Sequence, residues 1–163
     1  MTVLELACGT GQLSFSLAPK TAHWEATDFS EQMIKEAKKK SASKKLYFSV
    51  QDATNLPYAD NSFDAVMIAN ALHIMPEPEK ALREIHRVLK DQGYLFAPTF
   101  VSLPDGKTGI RMKILKLTGF KTYHKWDEGE LISFISEKGF SIQKHSLIEE
   151  GFQPLCNVIA QKQ

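Results

Sequence analysis

Short apolar runs alternate with helical patterns over most of the chain. Mostly apolar or β-branched runs, typical of strands buried in a parallel sheet, occupy residues 3–6, 23–27, 46–50, 63–69 and 94–97. Between these runs, the spacing of apolar residues predicts three helices, one over residues 12–17, one capped by Ser30 and one opened by Pro76 and Pro78. Alternating strands and helices predict an α/β fold with a mostly parallel sheet.

Two of these helices should each bury one face. The helix that Ser30 caps is expected to turn Met33, Ile34 and Ala37 inward. The helix after Pro78 is expected to close near Gly93. Its predicted apolar stripe consists of Ala81, Leu82, Ile85, Val88 and Leu89.

The end of the chain departs from this alternation. A capping box and a hydrophobic staple predict a helix over residues 128–138, and their members are Asp127 with Glu130 and Trp126 with Leu131. Residues 141–148 and 155–160 follow as two strands with no helix between them, which predicts an antiparallel pair at one edge of the sheet. Between 102 and 123 we expect a short irregular or helical insertion that ends near Gly119.

Composition favours one domain without a polyanionic partner. A chain of 163 residues with 43% hydrophobic content can bury one ordinary core. Its formal net charge of +1 and its lack of a membrane-length apolar run argue against nucleic acid and membrane as partners. Lysines at 38–40 and 44–45 are expected to be a solvated helix end. Cys8 and Cys156 have no paired spacing, so we predict no disulfide framework, no metal site and a cytoplasmic location.

A glycine-containing turn after the first strand carries the clearest sign of ligand binding. Gly9 and Gly11 would let a ligand approach the backbone, and Glu5 beside them favours a ligand with a positive charge over a bare phosphate. Asp28 follows the second strand, where a carboxylate can accept hydrogen bonds from a ribose diol. An NAD site would need a third glycine where Ser14 stands, which makes that cofactor less favourable.

Residues 3–12 resemble the first motif of the class I S-adenosylmethionine-dependent methyltransferases, especially the small-molecule group called methyltransferase type 11. Further blocks follow in the family's order, at residues 28–33, 51–53 with 56–58 and 63–64, and 89–95. The resemblance spans essentially the whole chain. It implies a Rossmann-like three-layer sandwich with a seven-stranded sheet of order 3-2-1-4-5-7-6, in which strand 7 is antiparallel. It also implies a single domain over 1–163 and, because Met1 directly precedes the first strand, we expect it to lack the family's N-terminal helical cover.

The resemblance further implies S-adenosylmethionine as cofactor and assigns residues to it. The methionine part of the cofactor would be bound by Glu5, by the backbone of 7–11 with Ala7, Gly9 and Gly11, and by the backbone of Asn70. The ribose would be bound by Asp28, the adenine amino group by Asp52, and the adenine ring by the backbone of Ala53. In two places the chain departs from the family. Ala7 replaces the family's usual first glycine, and Asp91-Gln92 replaces a proline-glycine pair before Gly93.

Three functions are compatible with these residues. The first is methyl transfer to a small-molecule acceptor by in-line displacement, for which alignment alone supplies much of the rate. If the acceptor must lose a proton, His73, just past the fourth strand, is the candidate general base. The second is a non-catalytic or degenerate cofactor-binding protein, and the third and least favoured is an NAD-dependent dehydrogenase. The sequence identifies neither the acceptor atom nor the oligomeric state.

Overall fold

One twisted β-sheet organises the part of the chain that the structure, a computed structural model, describes: residues 1–40, 43–103, 123–149 and 153–163. Its strands are β1 (Thr2–Leu6), β2 (His23–Asp28), β3 (Leu46–Val50), β4 (Phe63–Ile68), β5 (Leu89–Phe96), β6 (Thr99–Phe100), β7 (Phe140–Ile148) and β8 (Leu155–Lys162). The helices are α1 (Gln12–Leu17), α2 (Glu31–Lys38), α3 (Pro78–Val88) and α4 (Glu128–Ser136), with short 3₁₀ turns at Ala18–Lys20 and Leu72–Ile74.

The strand order is β3-β2-β1-β4-β5-β8-β6, and β7 pairs with β8. The first five strands are parallel, whereas β8 is antiparallel to β5, β6 and β7. Apart from the two-residue strand β6, this is the predicted order 3-2-1-4-5-7-6 with an antiparallel seventh strand, so the fold prediction is confirmed. The order brings the carboxyl ends of β1, β2 and β4 next to one another.

Both faces of the sheet are covered, which gives the predicted three layers. Along β1, Leu4 and Leu6 belong to the apolar cluster that includes α3 and α4. Val3 belongs to the cluster on the opposite face, with Ile34 and Ala37 of α2. This alternation follows from the twofold repeat of a strand, and it explains why β1 is apolar at nearly every position.

Two helix predictions need correction. Met33 was expected to turn inward, but it is 41% exposed, while Ile34 and Ala37 are buried. Helix α3 ends at Val88 instead of near Gly93, and Leu89 opens β5, paired with Phe63. Leu89 fits both the helical stripe and a buried strand, so apolar spacing alone could not separate the two.

The predicted start of α4 is confirmed by its hydrogen bonds. The Glu130 N–H donates to Asp127 Oδ1 at 2.9 Å, and the Asp127 N–H donates to Glu130 Oε2 at 3.0 Å. The helix ends at Ser136, slightly before the predicted Lys138. The insertion expected between 102 and 123 lies almost wholly outside the described residues. No helix in the described ranges has the length and apolar content that a bilayer crossing requires.

Candidate functional site

A cleft of about 670 Å³ opens at the carboxyl ends of β1, β2 and β4, with the residues after β3 forming another part of its wall. The lining comes from four segments at or directly after strand ends: Ala7 and Gly9; Thr27, Asp28, Phe29, Ser30 and Met33; Gln51, Asp52, Ala53 and Thr54; and Ala69, Asn70, Ala71, Ile74, Met75, Pro76 and Glu77. In a parallel sheet this edge is where ligands bind. Six of the predicted cofactor-binding residues line the cleft, namely Ala7, Gly9, Asp28, Asp52, Ala53 and Asn70.

The two glycines of the turn occupy their positions for different structural reasons. Gly9 lines the cleft at φ 55°, and a Cβ atom added there would meet no atom of the described residues within 4 Å. Gly11 is not part of the lining; at φ 81°, a Cβ atom added to it would lie 3.0 Å from the rings of Phe15 and Phe48. Gly9 therefore leaves space for a ligand, whereas Gly11 is required by backbone conformation and packing.

Asp28 connects the turn after β1 to the end of β2. Its Oδ2 accepts the Gly9 N–H at 2.8 Å, and its Oδ1 accepts the Ser30 N–H at 2.8 Å. Each carboxylate oxygen can accept a second hydrogen bond, so both remain able to receive ribose hydroxyls. The residue thus shapes the cleft and offers acceptors to its ligand.

Glu5 lies behind the turn and is not among the cleft-lining residues. It is 2% exposed, and its Oε2 accepts hydrogen bonds from the Ser14 hydroxyl at 2.5 Å and from Trp24 Nε1 at 2.8 Å. Burial raises the pKa of Glu5, and these two hydrogen bonds oppose that rise. No donor from the described residues reaches Oε1, and the contact of Glu5 with the cofactor stays a prediction.

The wall after β3 offers one acceptor and one donor. Asp52 Oδ1 accepts the N–H and the hydroxyl of Thr54 at 2.8 and 2.7 Å, while Oδ2 accepts nothing from the described part of the chain. The adjacent Ala53 is buried, and its N–H has no partner in the described ranges. An amino group beside a ring nitrogen, as on adenine, matches such an acceptor and donor.

On the opposite wall, Asn70 holds a left-handed conformation with φ 53°. Its N–H donates to the Pro98 carbonyl at 2.7 Å, and its own carbonyl accepts no hydrogen bond from a described residue. A ligand would therefore meet this backbone as an acceptor. This agrees with the predicted contact to an ammonium group.

His73 lies within the 3₁₀ turn at Leu72–Ile74, but its side chain does not line the cleft. It is 3% exposed, its ring meets the edge of Phe100 at 5.8 Å, and Nδ1 has no partner among the described residues. Burial lowers the pKa of His73 to about 4, so the imidazole is neutral at pH 7. Its role as a general base stays a prediction that this position does not favour.

Several apolar cleft residues were not singled out as ligand contacts in the sequence. Phe29 is 75% exposed and Met33 41% exposed although both are large and apolar. Ile74, Met75 and Pro76 form the wall after β4. The available signal was an apolar side chain directly after a strand-end carboxylate, at Phe29.

The fold and this cleft define a Rossmann-like protein with a candidate ligand site at the carboxyl ends of its parallel strands. The sequence matches the family described as "Methyltransferase domain" over residues 4–97, more than half of the chain. The chain therefore belongs to this methyltransferase family. The predicted class, the S-adenosylmethionine-dependent methyltransferases, is confirmed, and S-adenosylmethionine is the cofactor of that class.

Individual relatives support this assignment. The chain is 43% identical over 103 residues to a demethylmenaquinone methyltransferase of Clavibacter sepedonicus, covering 63% of this chain and 42% of the relative. It is 33% identical over 145 residues to a ubiquinone/menaquinone biosynthesis C-methyltransferase of Rickettsia akari, covering 83% and 54%. The crystal structure of a putative methyltransferase from Bacillus halodurans has the same fold, with a TM-score of 0.85, 18% identity and coverage of 99% and 92%. The chain spans about half the length of the curated relatives it matches.

Proposed function

We propose that this chain transfers the methyl group of S-adenosylmethionine to a small-molecule acceptor. The observation that supports this most strongly is the set of groups around one cleft that can still contact a ligand: the open face of Gly9, the remaining acceptor capacity of Asp28 and Asp52, and the Ala53 N–H, which has no partner among the described residues. These groups match a ribose and an adenine. The predicted cytoplasmic location and the single-domain organisation remain part of this proposal.

Different residues of the cleft would bind different parts of the cofactor. Asp28 would bind the ribose hydroxyls, Asp52 and Ala53 the adenine edge, and the Asn70 carbonyl the ammonium. When bound, S-adenosylmethionine supplies a sulfonium methyl group that is already activated for in-line displacement. The protein's remaining task is to align the acceptor and exclude water, which can contribute about 7 to 11 kcal/mol.

The acceptor would lie against the apolar wall formed by Ala71, Ile74, Met75 and Pro76. Such a wall suits a flat apolar ring more than a sugar or an amino acid. The names of the Clavibacter and Rickettsia relatives point to quinone precursors. We therefore include demethylmenaquinone analogues with short side chains among the acceptors to be tested.

The proposal is tested by combining binding with turnover. Calorimetry should show that S-adenosylmethionine and S-adenosylhomocysteine bind and that NAD does not, and a labelled methyl group should pass to an acceptor from a panel of metabolites and quinols. Binding without transfer to any acceptor would favour the non-catalytic alternative. Binding of NAD alone would overturn the proposal.

Asp28→Ala is expected to weaken S-adenosylhomocysteine binding by roughly 10- to 150-fold, because a charge-assisted hydrogen bond contributes about 1.5 to 3 kcal/mol. The measurement is calorimetry on protein whose urea unfolding curve shows that it is folded. Asp91→Ala is the matched control, because Asp91 is 90% exposed and lies outside the cleft. Equal affinity of Asp28→Ala and the wild type would contradict the ribose assignment.

A further inference from the structure

A second cleft, of about 450 Å³, lies where the parallel strands begin, at the sheet edge opposite the cofactor cleft. Its walls include Arg83 and Arg87 of α3, Lys138 after α4, Lys162 at the end of β8, and the acidic residue Asp60. These segments meet because β8 is antiparallel to β5 and so ends near the start of β5, beside the end of α3. We call this site the basic cleft.

Arg87 is paired with two carboxylates, Asp60 in the basic cleft and Glu84 one turn earlier on α3. The Arg87 guanidinium donates to Asp60 at 2.8 Å, to both oxygens of Glu84 at 2.8 Å, and to the carbonyls of Leu56 and Tyr58. These bonds use all five of its N–H groups. Arg87 therefore has no donor left for a ligand, and Asp60 is already paired.

Lys162 is different, because its ammonium is largely buried and both of its hydrogen-bond acceptors are neutral groups. Its side chain is only 10% exposed, and Nζ donates to Asn61 Oδ1 at 2.8 Å and to the Leu89 carbonyl at 2.7 Å. The nearest carboxylate, Asp91, is 3.7 Å away and 90% exposed, so its charge is largely screened. One ammonium proton is left without a described acceptor, and an exposed carboxylate at 3.7 Å compensates only weakly for the cost of burying this cation.

Among the described residues, no carboxylate oxygen lies within 4 Å of a side-chain nitrogen of Arg83 or Lys138. Lys138 instead lies 5.8 Å from the centre of the Phe134 ring. Burial lowers the pKa of His86, which also lines the basic cleft, and the charge of Lys162 acts in the same direction. The lining thus combines two cations, Arg83 and Lys138, that have no carboxylate partner among the described residues with a third, Lys162, whose carboxylate partner Asp91 is 90% exposed.

We propose that the basic cleft binds a small anion that carries a phosphate ester or pyrophosphate group. A guanidinium presents paired donors that match two phosphate oxygens, and the two lysines supply point charges for the rest of a dianion. The volume suits a phosphorylated metabolite or a lipid headgroup, which share this chemistry. The site is separate from the cofactor cleft, so it would take a ligand other than the methyl donor.

Isothermal titration with inorganic pyrophosphate tests the proposal directly. The double variant Arg83→Gln/Lys138→Gln should bind pyrophosphate at least about 10-fold more weakly than the wild type, because each charge-assisted hydrogen bond contributes about that factor or more. The matched control is Lys35→Gln/Lys38→Gln, which removes two exposed lysines from α2 and gives the same change in net charge. This control should bind pyrophosphate as the wild type does. All three proteins should bind S-adenosylhomocysteine equally, which separates this test from that of the proposed function.

Sedimentation with vesicles distinguishes the two sources of the phosphate group. Pull-down by phosphatidylglycerol vesicles but not by phosphatidylcholine vesicles, lost in the Arg83→Gln/Lys138→Gln variant, would identify a lipid headgroup. Pyrophosphate binding without such pull-down would identify a soluble ligand. The proposal is overturned if neither probe binds, if the double variant binds as well as the wild type, or if the α2 control loses as much affinity.

Discussion

Ala7 holds a left-handed backbone conformation, φ 54°, at the edge of the cofactor cleft. This conformation costs a residue with a side chain roughly 1 to 2 kcal/mol, whereas glycine adopts it freely. Glycine also gains freedom in the unfolded chain, which offsets about 0.4 to 1 kcal/mol of the benefit. Ala7→Gly is therefore expected to raise the free energy of unfolding by about 0.5 to 1 kcal/mol, as measured by urea denaturation.

Ala69→Gly is the matched control for this prediction. Ala69 lines the same cleft, but it is not among the residues with positive φ. The same substitution there should lower the free energy of unfolding by about 0.5 to 1 kcal/mol, because only the unfolded state gains freedom. If both variants lose stability equally, the strain assigned to Ala7 is absent.

Glu5 gives a pH-dependent prediction. Burial raises its pKa in the folded chain, so the folded state binds this proton more tightly than the unfolded state does. The stabilisation from this proton is fully present below the unfolded pKa and is lost as the pH rises through the folded pKa. Glu5→Gln keeps an oxygen that can accept from Ser14 and Trp24 but does not titrate.

Urea unfolding of Glu5→Gln and the wild type from about pH 4 to about pH 8 tests this account. The difference in the free energy of unfolding should move in favour of the variant as the pH rises, because only the wild type must then bury a charge. A difference that stays constant over this range, or that moves toward the wild type, would show that burial does not control the titration of Glu5.

At the scale of elements, the start of β5 depends on a glycine between two strands. Phe63 pairs with Leu89, and the next pair is Ala65 with Tyr94, so β5 has more residues between these two pairs than β4 has. Gly93 is one of these extra residues. A Cβ atom on Gly93 would lie 2.8 Å from the Lys90 carbonyl oxygen and 3.2 Å from that of Asp64. Backbone atoms cannot move aside cheaply, so Gly93→Ala should lower the free energy of unfolding by about 1 to 3 kcal/mol.

Gly129→Ala in α4 serves as the comparison for Gly93→Ala. The nearest atom to a Cβ placed on Gly129 is 3.5 Å away, which is an ordinary contact. Alanine is the better helix former, so this variant should gain up to about 1 kcal/mol. Thermal and urea unfolding of the two variants should give stability shifts of opposite sign. A loss of stability in both would show that replacing glycine is unfavourable even without a close contact, and that the packing at Gly93 is not the cause.

Local sequence patterns predicted most helices and strands. They gave the wrong result where the same residue fits both a helix and a strand, or fits a helix in more than one orientation. The capping box of α4 involves residues three apart, and it formed as predicted. Leu89 satisfied the apolar stripe of α3, yet it begins β5 because pairing with Phe63 also buries it. Met33 satisfied the inward pattern of α2, yet it is exposed at the cleft. Periodicity reports that a side chain prefers burial, but tertiary contacts decide which element buries it.

At the scale of the whole molecule, the sequence predicted the sheet order and most of the cleft because the family motifs follow strand ends. It did not predict the contacts behind the cleft. Glu5 receives hydrogen bonds from Ser14 and Trp24, nine and nineteen residues away in sequence. Gly11 was predicted to contact the ligand through its backbone. The structure gives a further reason for glycine at this position, because a Cβ atom there would lie too close to the rings of Phe15 and Phe48. Such contacts join separate elements, so spacing along one element does not reveal them.

Arg87 connects the end of α3 to the loop between β3 and β4. Its guanidinium binds the carbonyls of Leu56 and Tyr58 and the carboxylate of Glu84, and Glu84 in turn accepts the Leu56 N–H at 2.7 Å. The loop fixed in this way follows directly on Asp52 and Ala53, which form the predicted adenine wall. The end of α3 far from the cleft therefore supports that wall.

Arg87→Gln should lower the free energy of unfolding by about 1 to 2 kcal/mol, since several charge-assisted hydrogen bonds are lost from a side chain that is 31% exposed. It should also weaken S-adenosylhomocysteine binding, by less than Asp28→Ala does, because the adenine wall loses support but no ligand contact. Lys39→Gln breaks an exposed pair with Glu36 and should change stability by less than about 0.5 kcal/mol. Calorimetry and urea unfolding measure both effects. Reduced stability with unchanged cofactor affinity would show that the loop after Ala53 holds its position without α3.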